Sequence, residues 1–246
     1  MPKDNFSVNS GLYARYRPLY PDALFEFILA HTPVRKQAWD CATGNGQCAA
    51  VLSKYFASVK ATDISQKQLS HALYKPNIDY SVASAENSGF APRSFNLITV
   101  AQAAHWFELS EFYQEVQRVA CRDATLAIWG YGLVRISQAI DPIIREFYTQ
   151  TVAPYWDPER KHLDNGYQNI SMPFNMIPAP EFTLDVHWNL AHFTGYLNTW
   201  SSVRKFIQEK QYNPVEHLIR QLSLLWPPHE IKTLSFPIFL KLGKVH

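Results

Sequence analysis

Residues 38–50 read Ala38-Trp39-Asp40-Cys41-Ala42-Thr43-Gly44-Asn45-Gly46-Gln47-Cys48-Ala49-Ala50, and they decide the fold class. An apolar lead-in ends in an acid, turns through two glycines and restarts as a run of helix formers. Without a Cβ, Gly44 and Gly46 let the backbone approach a ligand closely. A helix starting near Gln47 presents unpaired N–H groups at its N-terminus, where the helix dipole is positive. Strand, glycine turn and helix in this order describe a nucleotide-type cofactor site at the carboxyl end of the first strand of an α/β sheet.

Two cofactors compete for such a turn. Gly44-x-Gly46-x-x-Ala49, with Asp63 a suitable distance on, satisfies the loose dinucleotide fingerprint and keeps an NAD(P)-dependent oxidoreductase as an alternative. Asp40 favours the other ligand. A carboxylate four residues ahead of the first glycine repels a pyrophosphate, whereas it attracts the sulfonium and ammonium groups of S-adenosylmethionine.

Asp40-x-Ala42-x-Gly44-x-Gly46 resembles the D-x-G-x-G-x-G motif of class I S-adenosylmethionine-dependent methyltransferases. Ala61-Thr62-Asp63-Ile64-Ser65 resembles their second motif and Ala83-Ser84-Ala85-Glu86 their third. The run from Phe95 through Gln102 and His105-Trp106-Phe107 resembles the fourth-strand segment. Together with Arg17-Pro18-Leu19-Tyr20-Pro21, these stretches are similar to the type 11 branch that contains trans-aconitate methyltransferase-like proteins. The likeness is close over residues 10–130 and holds in outline beyond.

The resemblance implies a single domain over residues 1–246 with a three-layer, Rossmann-like α/β fold. Its seven-stranded, mostly parallel sheet would end in an antiparallel strand. Residues 1–36 would fold over the cofactor, and 131–230 would include a helical and loop cap over the substrate, inserted after strand five. S-adenosylmethionine is the implied cofactor, with S-adenosylhomocysteine as product. The implied binding residues are Tyr13, Asp40, Ala42, Thr43, Gly44, Gly46, Gln47, Asp63, Ile64, Ser84, Ala85, Glu86, Ala101 and Gln102. Asp63 would take the ribose hydroxyls, and either Ser84 or Glu86 the adenine. Arg17, His105 and Trp106 are expected at the reacting centre. His105 is either a base for an amine or hydroxyl acceptor or a packed residue; Trp106 either walls the cavity or packs on the sheet. One departure stands out: Ala42 occupies the position of the first family glycine. A turn with negative φ accommodates it, and one with positive φ is strained. Ala42 and the displaced acid at Ser84–Glu86 keep a non-catalytic S-adenosylmethionine-binding protein as a second alternative.

Bulk properties narrow the partners. With 246 residues the chain suits one large domain, and a net charge of +2 argues against nucleic acid. No 18-residue apolar run exists and Met1-Pro2-Lys3-Asp4-Asn5 is no signal peptide, so no membrane partner is expected. Cys41, Cys48 and Cys121 lack metal-ligand spacing, which predicts no metal and fits a reduced, cytoplasmic setting. The expected partner is a small-molecule acceptor, a carboxylate where Arg15, Arg17 and His105 converge on it. No residue pattern specifies an oligomeric state.

Along the chain, Pro21 opens a helix over Asp22–His31 with an apolar stripe of Leu24, Phe25, Ile28 and Leu29. Strands are predicted at Gln37–Cys41, Ser58–Thr62, Asp79–Ala83, Asn96–Ala101 and Thr125–Trp129. Ser65 should cap a short helix reaching Ala72, and Ser110 a helix with Phe112, Val116, Val119 and Ala120 on one face. Ser137–Gln150 reads as a helix. Five prolines among Tyr155, Trp156, Tyr167 and Phe174 disfavour regular structure over residues 153–180. That stretch reads as a lid over the substrate pocket, or else as an excursion packed on the body. A half-exposed strand over Phe182–Leu190, helices over Thr194–Lys210 and Pro214–Trp226, and a last strand over Lys232–Leu242 complete the prediction. Pro237 should place that last strand at an edge or a bulge.

Overall fold

The computed structural model describes residues 15–245. Five parallel strands form the body of the sheet: β1 (Gln37–Cys41), β2 (Ser58–Asp63), β3 (Ile78–Val82), β4 (Phe95–Ala101) and β5 (Ala120–Tyr131). β8 (Lys232–Lys244) runs antiparallel beside β5, giving the order β3-β2-β1-β4-β5-β8. Two short strands then share the outer edge of β8. β6 (Asn175–Ile177) pairs with its last residues, and β7 (Phe182–Trp188) pairs with Lys232–Ile238. Eight strands therefore occupy the seven positions expected, because two segments lie end to end on one edge.

Side chains alternate across this sheet as strand geometry requires. On β5, Leu126 and Ile128 face one core, while Ala127 and Trp129 face the other. The first face is covered by α4 (Leu109–Val119), which buries Phe112, Val116 and Val119. The second takes α1 (Asp22–Ala30), α2 (Gln47–Leu52) and, further along, α7 (Leu190–Asn198), α8 (Ser201–Lys210) and α9 (Pro214–Leu222). With both faces covered, β4 is buried from Phe95 to Val100, which explains its largely apolar run; the two polar residues in it, Asn96 and Thr99, are hydrogen-bonded to Gln37 N and Asp40. Each apolar side chain there contributes about 1.5–3 kcal/mol by leaving water.

Several boundaries differ from the sequence reading for physical reasons. Ser65 does cap a helix, α3 (Gln66–Leu69), accepting from Gln68 N at 3.3 Å, but that helix ends at Leu69 and does not reach Ala72. Glu108, not Ser110, is the residue before α4, and its N–H is taken by the Glu86 carboxylate at 3.1 Å. The helix expected over residues 194–210 is two helices. The chain is extended at Trp200, whose ring is buried against Phe147, Tyr148, Trp156 and Tyr196. Apolar spacing carries through such a break, so periodicity alone does not reveal it. The helix expected over 137–150 is α5 (Asp141–Glu146) followed by a wider turn over Phe147–Thr151.

Pro237 corrects another expectation, since β8 lies inside the sheet. Its carbonyl accepts from Gly132 N at 2.9 Å. In an antiparallel ladder a residue's N and O point to the same side, so the missing N–H also faces Gly132. There β5 has just ended at Tyr131, so the proline costs no regular ladder bond.

Residues 153–180 are ordered. Besides β6 they hold a 3₁₀ turn (Ala153–Tyr155) and α6 (Arg160–Asp164), and Leu163, Tyr167, Ile170 and Met172 are buried on the sheet. No helix among the described residues is long and apolar enough to cross a membrane.

Candidate functional site

The order reverses at β1, which has β2 on one side and β4 on the other. Connections leave in opposite directions there and open a crevice beyond the carboxyl ends of the strands. An open cleft occupies that position, enclosing about 1110 Å³ with its solvent-filled mouth included. Its β1 wall is Asp40, Ala42, Thr43, Gly44, Asn45, Gln47 and Cys48. β2 contributes Asp63, with Ile64, Ser65 and Gln68 behind it. The ends of β3 and β4 add Ala83, Ala85, Glu86, Ala101, Gln102, Ala103, Trp106 and Phe107, and Tyr20 closes one side.

The turn after β1 is held by two acids. Asp63 accepts Gly44 N on one oxygen and Ser65 N on the other, each at 2.9 Å. Asp40 is fully buried and accepts from Thr43 Oγ1 (2.5 Å), Thr99 Oγ1 (2.8 Å) and the N–H of Ala49 in the first turn of α2 (3.0 Å). Burial pushes its carboxyl above the usual carboxylate range, opposed by these hydrogen bonds. Asp40 was expected to face a cationic ligand. It lines the cleft, yet its oxygens bind the loop and the helix start, so what it offers a ligand is its field.

The glycines have different reasons. Gly44 has φ +58° and an added Cβ would meet nothing within 4 Å, so the backbone leaves an open cradle on the cleft side. At Gly46, φ is +80° and a Cβ would strike the Tyr80 hydroxyl. That glycine is required by the packing of β3, and Gly46 is absent from the cleft wall. Ala42 has φ +54°, the strained case; a left-handed alanine costs roughly 1–2 kcal/mol.

Of the two candidates for the adenine contact, Glu86 lines the cleft, whereas Ser84 turns its hydroxyl to Asn87 N at 3.1 Å. Tyr13 lies outside the described residues. Asn45, Cys48, Ser65, Gln68, Ala83, Ala103 and Phe107 escaped the sequence reading, although most neighbour a residue it did name; Tyr20 belongs to the segment read as folding over the cofactor. The cleft fits an adenosine-bearing sulfonium on its donor chemistry. Carboxylates stand at the ends of β2 and β3, and Ile64, Ala85 and Phe107 offer apolar surface between them.

A second, smaller cavity adjoins this cleft and shares Gln102 and Trp106 with it. Arg17, His105, Trp156, Asp157, Arg160, Leu163, Thr199 and Ser201 complete its wall. Gln102, at the junction, has φ +57°. Arg17 donates to Thr199 Oγ1 (3.0 Å) and Tyr131 Oη (2.7 Å) and lies over the Tyr196 ring. Arg160 lies over Trp156, 4.3 Å from the ring centroid. Asp157 is paired with Lys205 at 2.6 Å, while Arg160 donates from Nε to Tyr148 Oη at 3.1 Å and is paired with Asp164 at 3.5 Å. His105 is buried with Nδ1 2.9 Å from Tyr167 Oη. Burial, then the charges of Arg160 and His162, pushes its imidazole down to about 3, so it is neutral at working pH. Arg15 is exposed and sits over Tyr16, outside the cavity.

A model of the methyltransferase domain matches residues 39–128. A Dictyostelium discoideum protein named as a methyltransferase is 32% identical over 249 residues, spanning 98% of this chain and 95% of its own length. A Saccharomyces cerevisiae protein named as an S-adenosylmethionine-dependent methyltransferase is 32% identical over 143 residues, spanning 53% of this chain and 49% of that one. A solved structure named as a type II methyltransferase from Anaeromyxobacter dehalogenans is 35% identical, spans 94% of this chain and 98% of its own, and superposes with a TM-score of 0.87.

Proposed function

The chain belongs to the class I S-adenosylmethionine-dependent methyltransferases, and from that premise we propose that it methylates a carboxylate of a small molecule held in the second cavity. The family excludes the nicotinamide alternative and makes the chain an enzyme rather than a binding protein. The observation that carries the acceptor reading is the pair of guanidinium groups, Arg17 and Arg160, in a cavity that shares Gln102 and Trp106 with the donor cleft. Arginine pairs with carboxylates through a rigid fork of N–H donors. The motif likeness to the trans-aconitate methyltransferase-like branch agrees with such an acceptor.

S-adenosylmethionine, when bound, supplies an electrophilic methyl group on a sulfonium. Asp63 and Glu86 would hold its hydroxyl and amine groups, and Ile64, Ala85 and Phe107 its apolar face. The remaining task is alignment, because holding two reactants in line removes much of the barrier to a direct displacement. Arg17 and Arg160 hold the acceptor, while Trp106 and Trp156 exclude water around it. A carboxylate with an ordinary value near 4 is already ionised at neutral pH, so no base is needed. A neutral His105 accords with that chemistry.

A methyl-release assay on a panel of mono- and dicarboxylates, amines and alcohols tests the reading. Turnover confined to carboxylates supports it, and turnover of amines alone overturns it. Arg17→Ala should raise the acceptor KM about tenfold or more, the loss of one charge-assisted hydrogen bond, with donor Kd within about twofold. Loss of donor binding with acceptor KM unchanged would reassign Arg17 to the donor.

A further inference from the structure

We propose that Tyr167 is a positioning residue that locks His105 as an Nε2–H donor pointing its proton at the acceptor. Tyr167 is fully buried in the turn after α6, with its ring edge-on to Phe239 at 5.0 Å. Its backbone lies in the left-handed region at φ +57°, directly after Gly166 at φ +59°. A non-glycine residue holds that conformation only where the surroundings demand it.

The hydrogen bonding assigns the tautomer. Among the described residues the hydrogen-bond partner of the buried Tyr167 hydroxyl is His105 Nδ1, at 2.9 Å. Were Nδ1 the donor, the buried hydroxyl proton would be left without an acceptor, at the cost of an unmade hydrogen bond. The hydroxyl therefore donates and Nδ1 accepts. Nδ1 must then carry the lone pair, and a neutral ring keeps its proton on Nε2. Burial, and the charges of Arg160 and His162 from the α6 segment, oppose a second proton, and the Asp157 carboxylate of the same cavity is paired with Lys205. The Trp106 ring, 4.8 Å from the imidazole, holds its plane.

The consequence concerns specificity, and it rests on the reading that the second cavity holds the acceptor. Arg17, Arg160 and Nε2–H give that cavity donors and no proton acceptor on the histidine. An ionised oxygen satisfies them. A neutral alcohol or ammonium group brings its own protons, finds no acceptor for them on His105 and meets an Asp157 carboxylate already paired with Lys205, and is disfavoured. Tyr167 thus selects for acceptors that arrive already deprotonated, without touching them.

Nitrogen-15 NMR of the full chain reads the tautomer directly. In long-range proton–nitrogen spectra, His105 should show a protonated Nε2 and an unprotonated Nδ1 from pH 8 down to 5. Tyr167→Phe, which removes only the hydroxyl, should convert it to a mixture of tautomers with the melting temperature recorded alongside. A wild-type spectrum with Nδ1 protonated, or a folded Tyr167→Phe variant with the Nε2–H form unchanged, overturns the proposal. If Tyr167→Phe does not fold, the wild-type spectrum alone decides. Titration with acetate as the carboxylate probe should shift the Nε2–H resonance, at about fivefold higher concentration in the variant. An Nε2–H form that acetate leaves unmoved supports the tautomer assignment and overturns the carboxylate reading instead.

Discussion

Asp63 reaches Gly44 across 19 residues of chain, whereas Arg17 reaches Thr199 across 182. The first contact belongs to the donor cleft, the second to the proposed acceptor cavity. The cleft is assembled from the ends of adjacent parallel strands and the turns that leave them. Each wall residue is placed by the strand it terminates. The cavity has no such frame. It exists only because an N-terminal arginine, the end of β4, α6 and the junction of α7 with α8 meet on one face. One site is written in local signals, and the other in the packing of segments distant in sequence.

Four experiments would break or sharpen that comparison, in order of expected size. Asp40→Ala leaves Thr43, Thr99 and Ala49 N without their acceptor, at a cost of about 3–5 kcal/mol. Thermal denaturation should show a fall of roughly 10 °C, with donor binding lost alongside. An unchanged melting temperature with donor affinity alone lost would return Asp40 to the ligand.

The cavity makes a pH prediction. In the unfolded chain His105 binds a proton near its ordinary 6.5, in the folded chain only near 3. Between those values the unfolded state holds more protons, so His105's contribution is complete above 6.5 and is lost as the pH falls toward 3. The slope is at most about 1.4 kcal/mol per pH unit. Urea denaturation from pH 7 to 4 should show it in the wild type and a flatter dependence in His105→Gln. Equal slopes would mean that the cap does not bury the ring.

Asp63→Ala should weaken S-adenosylmethionine and S-adenosylhomocysteine by the same factor, about 1.5–3 kcal/mol each. Both would lose the proposed ribose contact together with the brace on Gly44. Calorimetry that finds only one of them weakened removes Asp63 from the ribose. Smallest is Ala42→Gly, which relieves the positive φ at the expense of a more flexible unfolded chain. A gain of up to about 1 kcal/mol, or roughly 2 °C, is expected in the same melting experiment. A loss would show that the turn is not strained at Ala42.

Residues such as Trp106 show where legibility ends. Its place after β4 follows from the apolar run Phe95–Ala101, yet its position between two cavities does not, because the second is closed by Trp156 and Arg160. Tyr167 was read as one aromatic in a proline-rich stretch; its bond to His105 spans 62 residues. That Glu86 lines the cleft while Ser84 turns to Asn87 N depends on the N-terminus of α4, whose Glu108 N–H the Glu86 carboxylate takes.

By itself the sequence determined the α/β class, the strand ends and the donor turn. Strand alternation, glycine conformations and helix starts act over a few residues, and the chain cannot avoid displaying them. Tertiary structure alone decided that Asp40 is consumed inside the loop, that Pro237 lies in an interior strand, and that Arg17, His105 and Arg160 share a cavity. Those outcomes depend on burial and on which distant segments cover which face, and free energies of burial are properties of the assembled core, not of any stretch within it.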